Sequence, residues 1–281
     1  MAEGIAAEYL ALAERMAANL TLPGVRALHL PPPREPATKD AEFSVLELED
    51  GSCGFTYVWL GDTLGEIRRR DFARTVAGRT LVELARDYAS SDGAARAVGM
   101  AAINAASQHL FRRAHWAPED AGDSLGRLDP RPGMRIGMVG LFPPLVPLVV
   151  ESGAHLTVLE LKAELAGQGE GYRVTLDPAE LADCRRVVST STVLLNDTLD
   201  SVLAACRGAE YFAMIGPTAG CLPDPLFARG VHVLGGAQIT DLGGFLSAFH
   251  GGESWGRYTR KYAIRRDAYP GVEWLLSRAG A

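Results

Sequence analysis

A glycine-rich loop in the second half of the chain is the first candidate for ligand chemistry. Gly137 and Gly140 end an apolar run, and their backbone amides could approach an anion or a nucleotide ahead of a helix. Phe142 and Pro143 continue the same loop. Pro143 and Pro144 lack the amide donors that a diphosphate needs. The loop therefore predicts a small-molecule site but argues against ordinary NAD binding.

Two titratable residues are candidates for proton transfer. Glu160 follows the next apolar run, 20 residues beyond Gly140. A carboxylate at this place can accept hydrogen bonds from ribose hydroxyls, and the alternative is a surface ion pair with Lys162. Tyr57 in the first half of the chain is the other candidate general acid or base. Nothing in the sequence chooses between Glu160 and Tyr57.

Clustered hydroxyl groups follow a third apolar run. Thr190 and Thr192 come directly after it, and Asn196 and Thr198 stand at the start of a helix predicted over 196–206. Hydroxyls at a strand end can hold a polar ligand or a phosphate. The alternative is that they satisfy local backbone groups and that Asn196 is simply an N-cap.

A tight turn and a buried amide complete the candidate set. Gly216, Pro217 and Thr218 follow a fourth apolar run, and nearby Cys221 is either a nucleophile or a buried, inert thiol. Asn104 lies within a helix dense in small residues. A buried Asn must find partners, so it either caps a neighbouring loop or faces a ligand.

Metal-ligand spacing is missing from the sequence. The six histidines form no HxH or HxxxH pair, and the four cysteines form no CxxC pair, so a preformed zinc-type site is not predicted. Residues distant in the chain, such as His250, Glu253 and Cys221, could still converge. The sequence therefore does not identify metal ligands.

Charge and composition restrict the partners. A net charge of −6 argues against binding to nucleic acid or to an anionic membrane. The most apolar run, 138–150, is too short and too interrupted by proline to span a bilayer. Scattered cysteines and an N-terminus without a signal-peptide pattern predict reduced thiols in the cytoplasm. The expected partner is a small molecule, and a homodimer is left open.

Basic residues near the C-terminus alternate with tyrosines, which could indicate contact with nucleic acid. The favoured interpretation is a solvated face of a terminal helix. The residues concerned are Arg257, Arg260, Lys261, Arg265 and Arg266.

The first half of the chain predicts a mixed α+β unit. Helical spacing of apolar residues predicts a helix over 3–20. Strands are predicted over 25–30, 43–49 and 53–60, the last two as a hairpin. Helices follow over 81–89, with Thr80 and Glu83 as a capping box, and from Ser91-Asp92 to about 113. Residues 116–132 are the predicted linker.

The second half alternates strands with helices, which predicts a parallel sheet covered on both faces. The expected strands are 134–138, 155–159, 186–189, 211–215 and 231–234. In such a sheet the carboxyl ends of the strands share one edge, where ligands bind. The fold class is α/β, with domains at 1–118 and 119–281.

The chain also resembles a family known as DUF364, with DUF4213 at its N-terminus, named for heavy-metal chelation. The matching segments run through most of the chain from about residue 42, and the third is the most specific. They are Val98–Ala106, Gly137–Val146, Ser189–Leu199, and Gly216–Thr218 with Pro225–Phe227. Ser191 and Asp197 stand where the family usually has glycine.

This resemblance implies an enolase N-terminal-like α+β domain, a Rossmann-like α/β domain and a site between them. It also implies a role near metal handling, such as making or modifying a chelating compound. An enzyme of unknown reaction class (condensation, hydrolysis or group transfer on a small polar molecule) is the favoured hypothesis. The alternatives are an enzyme dependent on S-adenosylmethionine or a nucleotide, and a protein that binds a divalent transition metal without turnover.

Overall fold

The structure is a computed structural model that describes residues 4–33, 42–123 and 125–280. The predicted helix at 3–20 is therefore described from residue 4 onwards, and Ser124 of the predicted linker lies outside the described residues. In the first half, elements follow one another as helix, three strands and four helices. They are α1 (Ile5–Asn19), β1 (Val25–His29), β2 (Phe43–Leu48), β3 (Cys53–Tyr57), α2 (Thr63–Arg69), α3 (Phe72–Thr75), α4 (Leu81–Arg86) and α5 (Gly93–Arg113).

Helix α5 lies against the β1–β3 sheet. Within the described residues this sheet is antiparallel, in the order β1-β2-β3. A Cβ on Gly54 of β3 would overlap the backbone of Ala101 and Ala105, so strand and helix touch backbone to backbone. The small residues of α5 make this approach possible. Asp92 caps α5 by accepting a hydrogen bond from the Ala94 amide.

The second half contains most of the sheet structure. Its elements are β4 (Glu119–Asp120), β5 (Arg135–Val139), α6 (Val146–Val150), β6 (His155–Leu159), β7 (Gly167–Gly169), β8 (Tyr172–Thr175), β9 (Arg186–Thr190), α7 (Leu199–Ala205), β10 (Tyr211–Ile215), α8 (Asp224–Ala228), β11 (Val233–Ile239), α9 (Leu242–Gly251), β12 (Thr259–Arg265) and α10 (Val272–Ala279).

Strand order in the large sheet is β4-β12-β11-β10-β9-β5-β6-β8-β7 across the described parts of the chain. The strands from β11 to β8 are mutually parallel, and the pairs β11–β12, β12–β4 and β8–β7 at the two margins are antiparallel. After β5, strands β6 and β8 extend the sheet on one side of β5, and β9 then pairs with the opposite side of β5. The parallel strands thus have the order of the doubly wound dinucleotide-binding folds, with a reversal between β5 and β9. The α/β fold class is confirmed.

A shared hydrophobic core holds the two halves together. Tyr9 and Met100 from the first half belong to the same buried cluster as Val139 and Leu234 of the large sheet. At its margin, α1 is tied to the second half by an ion pair in which both carboxylate oxygens of Glu8 lie 2.7 Å from guanidinium nitrogens of Arg229. The division into domains at residue 118, and the likeness of the first domain to enolase, stay predictions.

Two predicted helices are wrong in extent or type. The helix expected from Asn196 begins at Leu199, because Asp197 has a φ of 59°, which a helix cannot accommodate. The basic C-terminal segment is not a helix: residues 259–265 form β12, which pairs along β11 and buries Tyr262. No described helix is both long and apolar enough to cross a membrane.

The capping box at Thr80 is confirmed. The Thr80 hydroxyl accepts from the Glu83 amide, and the Glu83 carboxylate accepts from the Thr80 amide. Sequence patterns did not predict α2, α3, α8, α9, α10, β4, β7 or β8. Most of these elements are short, and 167–175 is rich in glycine and polar residues that weaken a strand pattern.

Candidate functional site

The loops that follow β5 and β9 meet at the carboxyl edge of the large sheet. We call the space between them, bounded by residues 140–144 and 190–198, the switch-point crevice. Gly140 has a φ of 81°, and a Cβ there would lie 3.0 Å from Cγ2 of Thr190. Only glycine therefore fits without strain where the two loops touch. Gly137, by contrast, lies inside β5, where a Cβ would press on Leu181 at 3.1 Å and Val187 at 3.2 Å.

The loop after β5 is poorly suited to a diphosphate. Pro143 and Pro144 are exposed and carry no amide proton, and α6 does not begin until Val146. The Phe142 amide points back at the Met138 sulfur, 3.5 Å away. The loop can thus shape one wall of the crevice, but it does not present the row of amides that dinucleotide-binding loops use.

Hydroxyl groups form the opposite wall. The Thr190 hydroxyl donates to Oγ1 of Thr192 over 2.9 Å and accepts from the Thr192 amide over 3.2 Å. Because Thr192 accepts the first of these bonds, its own proton stays available for a ligand. Further along, Oδ1 of Asn196 accepts from the Thr198 hydroxyl and amide, at 2.6 and 3.3 Å. Asn196 therefore stabilises the loop rather than capping a helix.

Asp197 gives the loop after β9 a left-handed turn, with a φ of 59°. Its left-handed backbone would suit glycine, and aspartate is among the side chains that tolerate it. Arg96 on α5 donates to Oδ2 of Asp197 over 2.6 Å and to the Leu195 carbonyl over 3.1 Å. An ion pair from the first half of the chain thus supports the loop. Sequence patterns did not identify Arg96, since its partner is distant in the chain.

Glu160 holds the glycine loop from the end of β6. One carboxylate oxygen accepts from the Leu141 amide at 2.7 Å and the other from the Leu161 amide at 2.9 Å. No ion pair joins Glu160 to Lys162 within the described part of the chain. The carboxylate is part-exposed, so its remaining lone pairs can still accept from a ligand.

Tyr57 reaches the same edge from the first half. Burial, and then the nearby carboxylates of Glu42 and Glu160, raise the pKa of the Tyr57 phenol to about 12. The phenol is therefore protonated at neutral pH and can donate a hydrogen bond. The two candidate proton-transfer residues, far apart in the chain, influence one another across the junction of the two halves.

Thr218 and Asn104 join the halves below this edge. The Tyr57 amide donates to Oγ1 of Thr218 over 3.0 Å. The Asn104 amide group donates to the Phe55 carbonyl over 2.7 Å and to the Thr218 carbonyl over 2.8 Å. Both side chains have no exposed surface, so they bind backbone rather than line an open site. Oδ1 of Asn104 has no hydrogen-bond partner among the described residues.

The turn after β10 is packed against the hydroxyl-bearing loop. Gly216 has a φ of 136°, and its amide donates to the Gly235 carbonyl over 2.9 Å. A Cβ on Gly216 would overlap the Ser191 hydroxyl, so this turn also requires glycine. Pro217 is part-buried beside it. Gly216 and Pro217 therefore position Thr218 and support the loop after β9.

A cavity of about 320 Å³ lies elsewhere along the junction, beyond the end of β11. Its walls come from the β2–β3 turn, the last turns of α5 and the end of β11. They comprise 51–53, Gln108, Phe111, Arg112, 115–117, Gln238 and Ile239. None of the residues predicted from sequence lines it. The polar spacing Asn104, Gln108, Arg112 along an otherwise small-residue helix was the pattern that could have indicated this face.

Direct metal binding by a preformed set of side chains does not fit this structure. No three His, Cys, Asp or Glu residues of the described ranges converge in a way that could hold a metal ion. Metal-binding cysteines must be thiolates, yet burial raises the pKa of Cys53, Cys206 and Cys221 to about 12. Cys221 is also 3.0 Å from the Tyr9 hydroxyl in the core. A convergence of Cys221 with His250 and Glu253 is therefore not seen.

Comparisons with known proteins agree on one family. The model of DUF364, described as "Putative heavy-metal chelation", matches residues 123–266, and that of DUF4213, with the same description, matches residues 41–107. An uncharacterized protein of Methanocaldococcus jannaschii is 30% identical over 230 residues, which cover 77% of this chain and 85% of the relative.

Two solved structures share the fold at 20% identity. A DUF364 protein of unknown function from Desulfitobacterium hafniense has a TM-score of 0.71, covering 92% of this chain and 98% of its own. Another, from Pyrococcus horikoshii, has a TM-score of 0.64, covering 93% and 98%. At this identity they establish the fold alone. The family models and the sequence relative show that this chain belongs to the DUF364 family.

Proposed function

We propose that the protein binds a small polar molecule in the switch-point crevice and serves heavy-metal handling by making or modifying a metal-chelating compound. The observation that carries the proposal is the reversal of strand order between β5 and β9. Ligands of open α/β sheets bind outside the carboxyl ends of the strands at such a reversal. The two loops that leave the sheet here are the glycine loop and the hydroxyl-bearing loop.

The polar groups around the crevice suit a neutral, oxygen-rich or nitrogen-rich ligand. Thr192 has a free hydroxyl proton, and the protonated Tyr57 phenol offers a second donor. Glu160 offers acceptor lone pairs while its carboxylate holds the Leu141 amide in place. The raised pKa of the Tyr57 phenol suits it to donating a hydrogen bond to the ligand rather than to releasing a proton, and Glu160 positions the loop beside it.

We expect the metal to be bound by the ligand and not by side chains of the protein. The described side chains offer no ready set of metal ligands, and the buried thiols stay protonated. A chelating compound supplies its own donor atoms, so the protein needs only to recognise the compound. This reading agrees with the family's description without requiring a metal centre in the protein.

A nucleoside-bearing ligand such as S-adenosylmethionine is the second candidate. Glu160 directly follows the second parallel strand, where doubly wound folds place the acidic residue that binds ribose hydroxyls. Its spacing of 20 residues from Gly140 is also typical. The prolines at 143 and 144 favour a nucleoside over a dinucleotide, because they remove amides that would bind a diphosphate.

Ligand retention tests the main proposal. The full chain is purified under native conditions, denatured, and the released small molecules are identified by mass spectrometry. We expect one compound near equimolar amount. Tyr57→Phe and Thr192→Val should each bind it about fivefold more weakly and retain less of it, since each loses one ligand hydrogen bond of about 1 kcal/mol. Tyr172→Phe and Thr75→Val, outside the crevice, are the matched controls and should retain it.

Thermal shift separates the two candidates. Stabilisation by S-adenosylmethionine or ATP that Glu160→Gln abolishes would select the nucleoside-bearing ligand. A released compound that is unaffected by the Tyr57 and Thr192 substitutions would contradict the crevice as its site. No released compound, together with no stabilisation by either nucleoside probe, would refute both candidates.

A further inference from the structure

Two histidine rings meet where α9 packs against the β1–β3 sheet. His29 is the last residue of β1, and His250 lies in the last turn of α9, far away in the chain. Their ring centroids are 5.1 Å apart, and the ring planes are tilted by 49°. The pair thus joins the first half of the chain to the second through two side chains whose charge changes in mildly acidic solution.

Apolar packing beside the pair attaches α9 to the sheet. Phe249 of α9 belongs to one buried cluster with Phe245 and with Phe55 of β3. The Phe55 ring lies 5.6 Å from the Phe245 ring, edge-on, and 5.3 Å from the Trp255 ring, stacked. These side chains do not titrate, whereas His250, directly after Phe249, does. The histidine pair is therefore the place at which pH can act on this contact.

One buried carboxylate serves the pair. Glu47 is 4% exposed, and its Oε2 lies 2.8 Å from Nε2 of His29. Its Oε1 lies 3.3 Å from Nε of Arg26, an exposed side chain. A single negative charge thus faces a guanidinium and one imidazole already. It can neutralise one imidazolium, but not two.

Other charged groups around α9 partly favour a proton on His250. Glu253 follows the helix and is exposed, and the carbonyl groups at the end of α9 also attract a cation. The Asp50 carboxylate at the β2–β3 turn is engaged by a histidine of α5, and the Cys53 thiol on β3 is protonated because burial raises its pKa to about 12. Partial burial, and then the charge of His29, nevertheless lower the pKa of His250 from its usual value of 6.5.

We propose that the His29–His250 contact is a pH-sensitive latch, which holds α9 on the β1–β3 sheet at neutral pH and loosens it in mildly acidic solution. With both rings protonated, two cations whose rings are 5.1 Å apart share one carboxylate, and movement of α9 relieves their repulsion. The folded chain binds the His250 proton less tightly than the unfolded chain does. The latch therefore contributes stability above the unfolded pKa near 6.5, and this stability is lost as the pH falls through the lower folded pKa.

NMR titration of the imidazole protons in the full chain tests the contact between the rings. We expect the pKa of His250 to lie below 6.5 in the wild type. It should rise by about 0.5–1 unit in His29→Gln, which keeps a donor for Glu47 but cannot become a cation. His155→Gln is the matched control, because His155 is exposed at the start of β6 in the large sheet, and it should leave His250 unchanged.

Amide hydrogen exchange, followed by mass spectrometry, measures the loosening of α9. Peptides from α9 are compared with peptides from α5 at about pH 7.5 and about pH 5.5, after correction for intrinsic exchange rates. For a pKa lowered by about 0.5–1 unit, linkage predicts an opening equilibrium about threefold to fivefold larger at the lower pH. We expect α9 of the wild type to lose protection by this factor relative to α5, and α9 of His250→Gln and His29→Gln to lose none.

Either measurement can overturn the latch. A His250 pKa that changes no more in His29→Gln than in His155→Gln would show that the two rings do not influence one another. Equal losses of α9 protection in the wild type and in His250→Gln would show that the acid response lies elsewhere. Because His250 lies at the surface, its substitution keeps the test decisive even where the change at position 29 disturbs β1. Neither measurement involves the switch-point crevice, so the result is independent of the proposed function.

Discussion

Replacing Asn104 with leucine should weaken the whole fold, because this residue binds backbone carbonyls of both halves. Its amide group donates to Phe55 of β3 and to Thr218 beyond β10, and it has no exposed surface. Leucine has nearly the same size, so the substitution removes hydrogen bonds and leaves little cavity. The change therefore isolates the polar contribution of Asn104 to the junction.

The magnitude follows from the groups left without partners. Two buried carbonyls lose their donor, and each such group costs about 1–3 kcal/mol. The substitution also removes Oδ1, which is itself buried without a partner and carries a penalty of the same size. One of the two costs is thereby offset, so the free energy of unfolding should fall by about 1–3 kcal/mol. This corresponds to a urea midpoint lowered by about 0.5–1 M.

Urea unfolding followed by far-ultraviolet circular dichroism and by tryptophan fluorescence measures this change. Asn19→Leu is the matched control, because Asn19 is exposed at the end of α1 and bonds only locally to the Arg15 carbonyl. We expect the control to change stability by no more than about 0.5 kcal/mol. An Asn104→Leu protein as stable as this control would refute the assignment of Asn104 as a buried link between the halves.

Three further predictions concern single side chains. The pKa of Glu8 is lowered mainly by its hydrogen bond with an arginine, so Glu8→Gln should cost about 1 kcal/mol at pH 7. This stabilisation is fully present above the unfolded pKa near 4.5 and is lost as pH falls through the lower folded pKa, so the difference in stability between the wild type and Glu8→Gln should become smaller as the pH falls from 7 to about 3; an unchanged difference would contradict the ion pair, and Glu14→Gln, which removes an exposed ion pair, should cost less at pH 7. Gly140→Ala should lower the melting temperature more than Gly78→Ala. Both glycines have a φ above 80°, but only at position 140 would the added Cβ crowd another side chain. Equal decreases in melting temperature would contradict the contact between the two loops. Asp197→Ala should lower the free energy of unfolding by about 1 kcal/mol, because it removes the ion pair and keeps a side chain in the left-handed conformation. Asp197→Gly should leave the free energy of unfolding nearly unchanged, because the loss of the ion pair is offset by the relief of backbone strain. An Asp197→Ala protein more stable than the wild type would contradict this strain.

Strands buried on both faces could be predicted closely from the sequence. The strands 155–159 and 211–215 match their predicted limits, because 211–215 is an uninterrupted apolar run, 155–159 is mainly apolar, and a polar residue or glycine directly follows each of them. Strand β12 could not be predicted in this way. Its basic residues and tyrosines suggest a solvated helix, and only pairing along β11 makes it a strand that buries Tyr262.

The candidate loops could be found from sequence, but their detailed chemistry could not. The loop after β9 was located by its hydroxyls, yet its helix starts three residues late because Asp197 has a left-handed conformation, and its ion pair with Arg96 cannot be found from local sequence. Residue type suggested that Asn104 faces either a loop or a ligand, and only the structure shows its two carbonyl partners.

Contacts between distant segments explain what sequence reasoning missed. Tyr57 and Glu160 were proposed separately, and no spacing rule brings a strand of the first half beside the end of β6. The cavity beyond β11 likewise needs the β2–β3 turn, α5 and Ile239 to meet. Such convergence is set by how the two halves pack, which a one-dimensional pattern does not contain.

The most direct test of the account is a crystal structure of the full chain as purified, with inspection of electron density in the switch-point crevice. We predict a small molecule within hydrogen-bond distance of the Thr192 hydroxyl and the Tyr57 phenol, with the glycine loop against it. The same density should be missing from crystals of Tyr57→Phe combined with Thr192→Val. A co-purified molecule bound elsewhere, with only solvent between residues 140–144 and 190–198, would contradict the central claim.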